Sequence, residues 1–211
     1  MSTFTPTGLV CAEHLSFGFE AAKPLLTGLS FDIPASGVTL IQGGESRGKS
    51  TLLRLLAGLL RPSCGSLRMH GLDLHEPALA ASIYAHDPRL PDWSNLSPRL
   101  YFAQMARHYP GFDDAVVTDM LDHLELAEHA DKDMYMLSTG SKRKVSWVAA
   151  LACGADLLLM DEPFAALDLA SIRKLHQLLS NWHLTQRSAW VLADYQAPGT
   201  VPLSALIDLG N

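Results

Sequence analysis

A chain of 211 residues, 48% of them hydrophobic, is long enough to bury a full core as one large domain, so intrinsic disorder is excluded. A formal charge of -6 argues against a broad nucleic-acid footprint, which selects clustered Lys and Arg on a basic balance. The basic cluster Lys142, Arg143 and Lys144 reads as a solvated helix face. Three scattered cysteines, Cys11, Cys64 and Cys153, indicate neither a disulfide framework nor a metal knuckle and fit a reducing compartment.

The start, MSTFTPTGLVCAEH, has no basic stretch followed by an apolar run, and no segment approaches the ~20 apolar residues that span a bilayer. A soluble, cytoplasmic protein is expected, with any membrane role exercised through a partner. From Leu9 to Gln42 the runs LVCAEHLSF, GLSFDI and GVTLIQ, broken by Gly, Pro and Ala-Ser turns, predict short strands. At Lys49 the pattern changes to KSTLLRLLAGLL, leucines at helical spacing with Pro62 just beyond. Residues from 95 to 150 carry longer amphipathic patterns and predict a helical lobe. DLLLM, closed by Pro163, reads as a buried parallel strand. LASIRKLHQLLSNWH and SAWVLA then complete a further α/β crossover. The pattern predicts one α/β domain over residues 1–211: a mainly parallel sheet with flanking helices, an N-terminal antiparallel β-lobe and an inserted helical lobe.

Chemistry is concentrated first in Gly43, Gly44, Glu45, Ser46, Arg47, Gly48, Lys49 and Ser50, which satisfy G-x-x-x-x-G-K-[ST] between a predicted strand and a predicted helix. Such a loop turns its N–H groups toward phosphate oxygens, and the helix start adds positive potential. Lys49 is expected on the β- and γ-phosphates and Ser50 on Mg²⁺, with Thr51 continuing the cradle. The strand ending Asp161-Glu162 delivers two acids to its carboxyl edge. Asp161 is expected to hold Mg²⁺ through water, and Glu162 to act as general base.

These two elements occur in kinases, GTPases, helicases and transporter ATPases alike. Between them stands Leu137-Ser138-Thr139-Gly140-Ser141 at a helix start, about twenty residues before Asp161. It resembles the signature motif of the ATP-binding cassette transporter family, usually LSGGQ. Ala166-Leu167-Asp168 resembles that family's D-loop, His86 to Trp93 its Q-loop, and Phe19 the aromatic that stacks on adenine. Phe17 and Phe19 share one strand face, so either also suits a core role.

The resemblance implies a P-loop ATPase fold binding ATP and Mg²⁺. Ser138, Thr139 and Gly140 would face nucleotide on a second copy or a homologous cassette, and a separate membrane permease would be driven at the inner face of the cell membrane. Compact exporter subunits, including the haem-export ATPases of cytochrome c maturation, are the more narrowly similar group. Two positions depart from the pattern in ways that bear on hydrolysis: His86 stands for the Q-loop glutamine, and Tyr195 for the switch histidine, with Asp194 in an alternative register. Thr139, Ser141 and Glu45 are further replacements. Nucleotide binding followed by slow hydrolysis is the resulting expectation. A nucleotide-gated regulator or assembly factor is the alternative, and a phosphoryl-transfer kinase is disfavoured by the signature-like segment.

Overall fold

Strands β1 (Val10–Phe17) and β2 (Leu26–Ile33) pair antiparallel, in line with the expected N-terminal antiparallel β-lobe. With β4 (Cys64–Met69) and β5 (Leu72–Asp73) they form a four-stranded sheet in the order β2-β1-β4-β5. The structure, a computed structural model, describes residues 8–20, 23–86, 93–185 and 188–210.

The second sheet is wholly parallel, in the order β6-β7-β8-β3-β9, and comprises β3 (Gly37–Gln42), β6 (Ile83–Ala85), β7 (Leu157–Asp161), β8 (Ala189–Asp194) and β9 (Ala205–Asp208). Its central strands are apolar on both faces, so the two-residue period sorts side chains into two cores. Leu157 and Leu159 of β7, with Val191 of β8, join Leu52, Leu55 and Leu56 of α1 (Lys49–Leu56) and the inner face of the antiparallel sheet. Leu158, Met160, Trp190 and Leu192 face the opposite way, into the helices.

Those helices are α2 (Pro98–His108), α3 (Asp114–His123), α4 (Thr139–Ala152) and α5 (Leu169–Thr185). The first three lie in sequence between β6 and β7. Each of the four begins at a Ser or Asp whose side chain accepts a backbone N–H: Ser97, Asp113, Ser138 and Asp168. Such caps satisfy donors that the first helical turn leaves open. Trp147 of α4 packs on Trp190 with ring centroids 5.0 Å apart, locking α4 onto the sheet.

Candidate functional site

Between β3 and α1 the chain turns through residues 43–48, with Ser46 at φ 59° and Gly48 at φ 93°. Gly48 is required twice over. Its backbone is left-handed, and a Cβ there would stand 2.9 Å from Leu26 Cδ2. The Gly44 N–H donates to Gly210 O at 2.9 Å, tying the loop to the chain beyond β9. Glu45, Ser46, Arg47 and Ser50 are exposed, whereas Gly43, Gly48, Lys49 and Thr51 are buried.

Lys49 is therefore not a solvent-facing charge. Its ammonium donates to Gly43 O and Gly44 O, each at 2.8 Å, and lies 3.8 Å from the centroid of the Tyr195 ring. Tyr195 follows β8 directly, held by its own N–H on Asp194 Oδ1 at 2.7 Å. This contact places Tyr195 itself beside the loop lysine; Asp194 remains the strand end that anchors it. Desolvation, then the carboxylates of Glu162, Glu45, Asp161 and Asp194, push the Tyr195 phenol up, so it stays a protonated donor.

At the end of β7, Asp161 is exposed and Glu162 half-buried. Glu162 adopts φ 45°, a left-handed conformation that costs a non-glycine residue on the order of 1–3 kcal/mol and persists only where the surroundings impose it. Its N–H donates to Ala193 O at 2.8 Å. His86 follows β6, the neighbouring strand. A cavity of about 450 Å³ brings Ser50, His86, Thr139, Arg143, Asp161 and Glu162 together. Residues 87–92 of the Q-loop-like segment, and the side chain of Trp93, lie outside the described residues.

Ser138 caps α4. Its Oγ accepts the Ser141 N–H at 3.0 Å, so one of the donors expected to be open at this helix start is already satisfied. Gly140 packs on the turn after β7, where a Cβ would approach Ala166 O to 2.5 Å. Ala166 is itself left-handed, at φ 61°. Asp168 caps α5 through the Ser171 N–H at 2.8 Å and hydroxyl at 2.7 Å, and pairs with Lys144 at 3.0 Å. The Ser171 bonds, then Lys144, hold its carboxyl far below the usual carboxylate range.

Two expectations are corrected. Arg143 and Lys144 do not form a solvated face: Lys144 is 12% exposed on Asp168, and Arg143 donates to Asp161 O at 3.0 Å and to Glu162 O. Their charge is used on the carbonyls and carboxylate of the turn opposite. The sequence signal was a basic pair one helical turn past the cap, with an acid-rich turn to meet it. Phe17 and Phe19 also part company. β1 ends at Phe17, which is 8% exposed in the core, while Phe19 lies beyond it, 67% exposed, with its ring edge-on to Phe17 at 5.1 Å. Phe17 sits opposite Leu26, whose side chain adjoins Gly48, so this end of the β-lobe abuts the phosphate-type loop.

A parallel sheet whose carboxyl edge joins a glycine-rich lysine loop to a strand-borne acid pair defines a P-loop nucleotide-binding protein. Residues 26–165 match the family model described as ABC transporter, and the chain belongs to that family. It is 35% identical to the aliphatic sulfonates import ATP-binding protein SsuB of Granulibacter bethesdensis, over 92% of this chain and 75% of that protein. It is 33% identical to the cytochrome c biogenesis ATP-binding export protein CcmA of Paramagnetospirillum magneticum, over 96% of this chain and 93% of that protein. Among solved structures, an ABC transporter ATP-binding protein from Pyrococcus furiosus shares the fold with a TM-score of 0.76 at 22% identity, over 95% of this chain and 96% of that one.

Proposed function

We infer that this chain is the ATP-binding and ATP-hydrolysing subunit of an ABC transporter, powering translocation through a permease on a separate chain. The observation that carries this reading is the single cavity shared by the phosphate-loop Ser50, the acid pair Asp161 and Glu162, His86 and the signature-motif Thr139. Gly43 to Thr51 cradle the phosphates through N–H groups at the start of α1. Lys49 exchanges its two carbonyl partners and the Tyr195 ring face for β- and γ-phosphate oxygens.

The Ser50 hydroxyl and Asp161 carboxylate are hard oxygen donors opening on the same cavity, a set that fits Mg²⁺ completed by phosphate oxygens. Bound there, the ion supplies charge neutralisation on the phosphates. Glu162 polarises the attacking water, with His86 and the Tyr195 hydroxyl near the terminal phosphate. Phe19, exposed with its ring edge-on to Phe17, stacks on adenine. Ser138, Thr139 and Gly140 contact nucleotide on a second copy or a homologous cassette, giving a dimer on ATP binding.

No helix among the described residues is long and apolar enough to cross a membrane, which fits a cytoplasmic subunit held peripherally by its permease rather than a spanning chain. Hydrolysis is slow, because both positions that sense the γ-phosphate are substituted. The Tyr195 ring over Lys49 favours one further reading, a nucleotide-gated regulator that hydrolyses little. Co-purification with a multi-span membrane protein, together with ATP turnover lost in Glu162→Gln, is expected. A purely soluble partner and turnover unchanged by Glu162→Gln would overturn the transporter reading.

A further inference from the structure

Resting on that reading of Glu162, we propose that Arg143 is a positioning residue for hydrolysis. Among the described residues, the last pair of the ladder between β6 and β7 is Ala85 with Leu159. Ladder bonding to β8 continues through Asp161 and Ala193 and the Glu162 N–H on Ala193 O. One guanidinium nitrogen, Nη1, donates to Asp161 O at 3.0 Å and also to Glu162 O.

The residue so held is the one with a left-handed backbone. A Glu at φ 45° relaxes to an extended or helical conformation unless both of its peptide groups are fixed. The Ala193 bond fixes the peptide before it, and Arg143 holds the one after together with the Ala165 N–H, which donates to Glu162 O at 3.1 Å. Rotation about either would swing the carboxylate away from the cavity it lines with Ser50 and His86. Farther along α4, the Trp147 indole donates to Pro163 O at 2.9 Å, so the helix anchors the turn at a second point that does not touch Glu162. Arg143 borders the same cavity, and the role assigned to it runs through the backbone of Glu162.

The test compares Arg143→Gln, Arg143→Lys and Trp147→Phe with the full-length wild type, using Mg-ATP titration, single-turnover hydrolysis and amide hydrogen exchange. Arg143→Gln should leave Mg-ATP affinity within about twofold while slowing the chemical step by about tenfold to a hundredfold, as small displacements of catalytic groups do. Arg143→Lys, which keeps a cationic donor without the planar fork, should recover part of the rate. Exchange at Glu162 to Ala165 should accelerate in Arg143→Gln while the core amides of α4 stay protected. Trp147→Phe should leave the rate nearer wild type. Equal losses of affinity and rate, an unchanged rate, or unchanged exchange at Glu162 would each overturn the proposal. If Glu162→Gln hydrolyses as fast as wild type, the site reading itself fails, and the exchange measurement still reports separately whether Arg143 holds the turn.

Discussion

The Tyr195 ring lies over the Lys49 ammonium, 3.8 Å from centroid to nitrogen, so under the proposed site phosphate would compete with the ring for that face of the lysine. Cation–π contacts at accessible sites contribute about 0.5–1 kcal/mol, which corresponds to about two- to fivefold in affinity. Tyr195→Ala should therefore tighten binding of ADP, which has no γ-phosphate to lose a hydroxyl contact, by about that factor. Tyr195→Phe keeps the ring and should bind ADP as wild type does. Calorimetric titration decides it, and weaker ADP binding by the alanine variant would contradict the competition.

Hydrolysis isolates the other half of the same side chain. Tyr195→His should raise the single-turnover rate more than it changes affinity, since an imidazole can carry positive charge toward the γ-phosphate and a phenol cannot. A slower histidine variant together with an inactive Tyr195→Phe would instead identify the tyrosine hydroxyl as the working contact.

Lys49→Ala removes a charge and two hydrogen bonds to the loop's own carbonyls. ATP affinity should fall by about a hundredfold or more, because charged hydrogen bonds to phosphate are lost. The fold should survive, since the remaining buried residues of α1 are held by the core around Leu52 and Leu55. Circular dichroism alongside titration separates the two effects. Unchanged affinity would remove this loop from the nucleotide site.

Gly140→Ala tests why the signature-like segment needs glycine. Its Cβ would stand 2.5 Å from the Ala166 carbonyl of the same chain, so the turn or the start of α4 must shift. A loss of about 1–3 kcal/mol in urea unfolding is expected, even without nucleotide. Full stability in the isolated protein would show that glycine serves only the approach of a ligand or partner.

For Asp168 the folded pKa is depressed, so its stabilising contribution is present above the unfolded value near 3.9 and is lost as pH falls through the lower folded value. Asp168→Ala should cost about 0.5–2 kcal/mol at pH 7 as a lost cap. The difference from wild type should shrink on the acid side of pH ~4. Asp168→Asn keeps the cap and removes only the charge facing Lys144, a partly exposed pair that contributes little on its own. Urea midpoints across pH measure both. A difference that grows with acid would reverse the sign.

In the Glu162→Gln variant, Mg-ATP should convert the protein to a dimer by light scattering, with Ser138 and Gly140 of one subunit against nucleotide at Lys49 of the other. A monomer at saturating nucleotide would restrict the contact to a different cassette chain.

Whatever is written in local spacing is legible in the residues alone. GGESRGKS between a β-rich run and a leucine-periodic helix marked the phosphate-type loop, and LLLMDE marked a buried strand delivering acids to its edge, because strand and helix periods and glycine conformations act over a few residues. Which distant groups meet depends on packing. The Gln42 amide reaches the Tyr195 carbonyl across 153 residues of chain, and the same meeting of β3 with β8 carries the tyrosine ring onto Lys49. Tertiary structure also separated Phe19 from Phe17, which strand alternation put on one face, because β1 ends before the second ring. Arg143 belongs to this second class: a basic residue in a basic run is solvated by default, and only the packing of α4 across the end of β7 gives its guanidinium two carbonyls to hold.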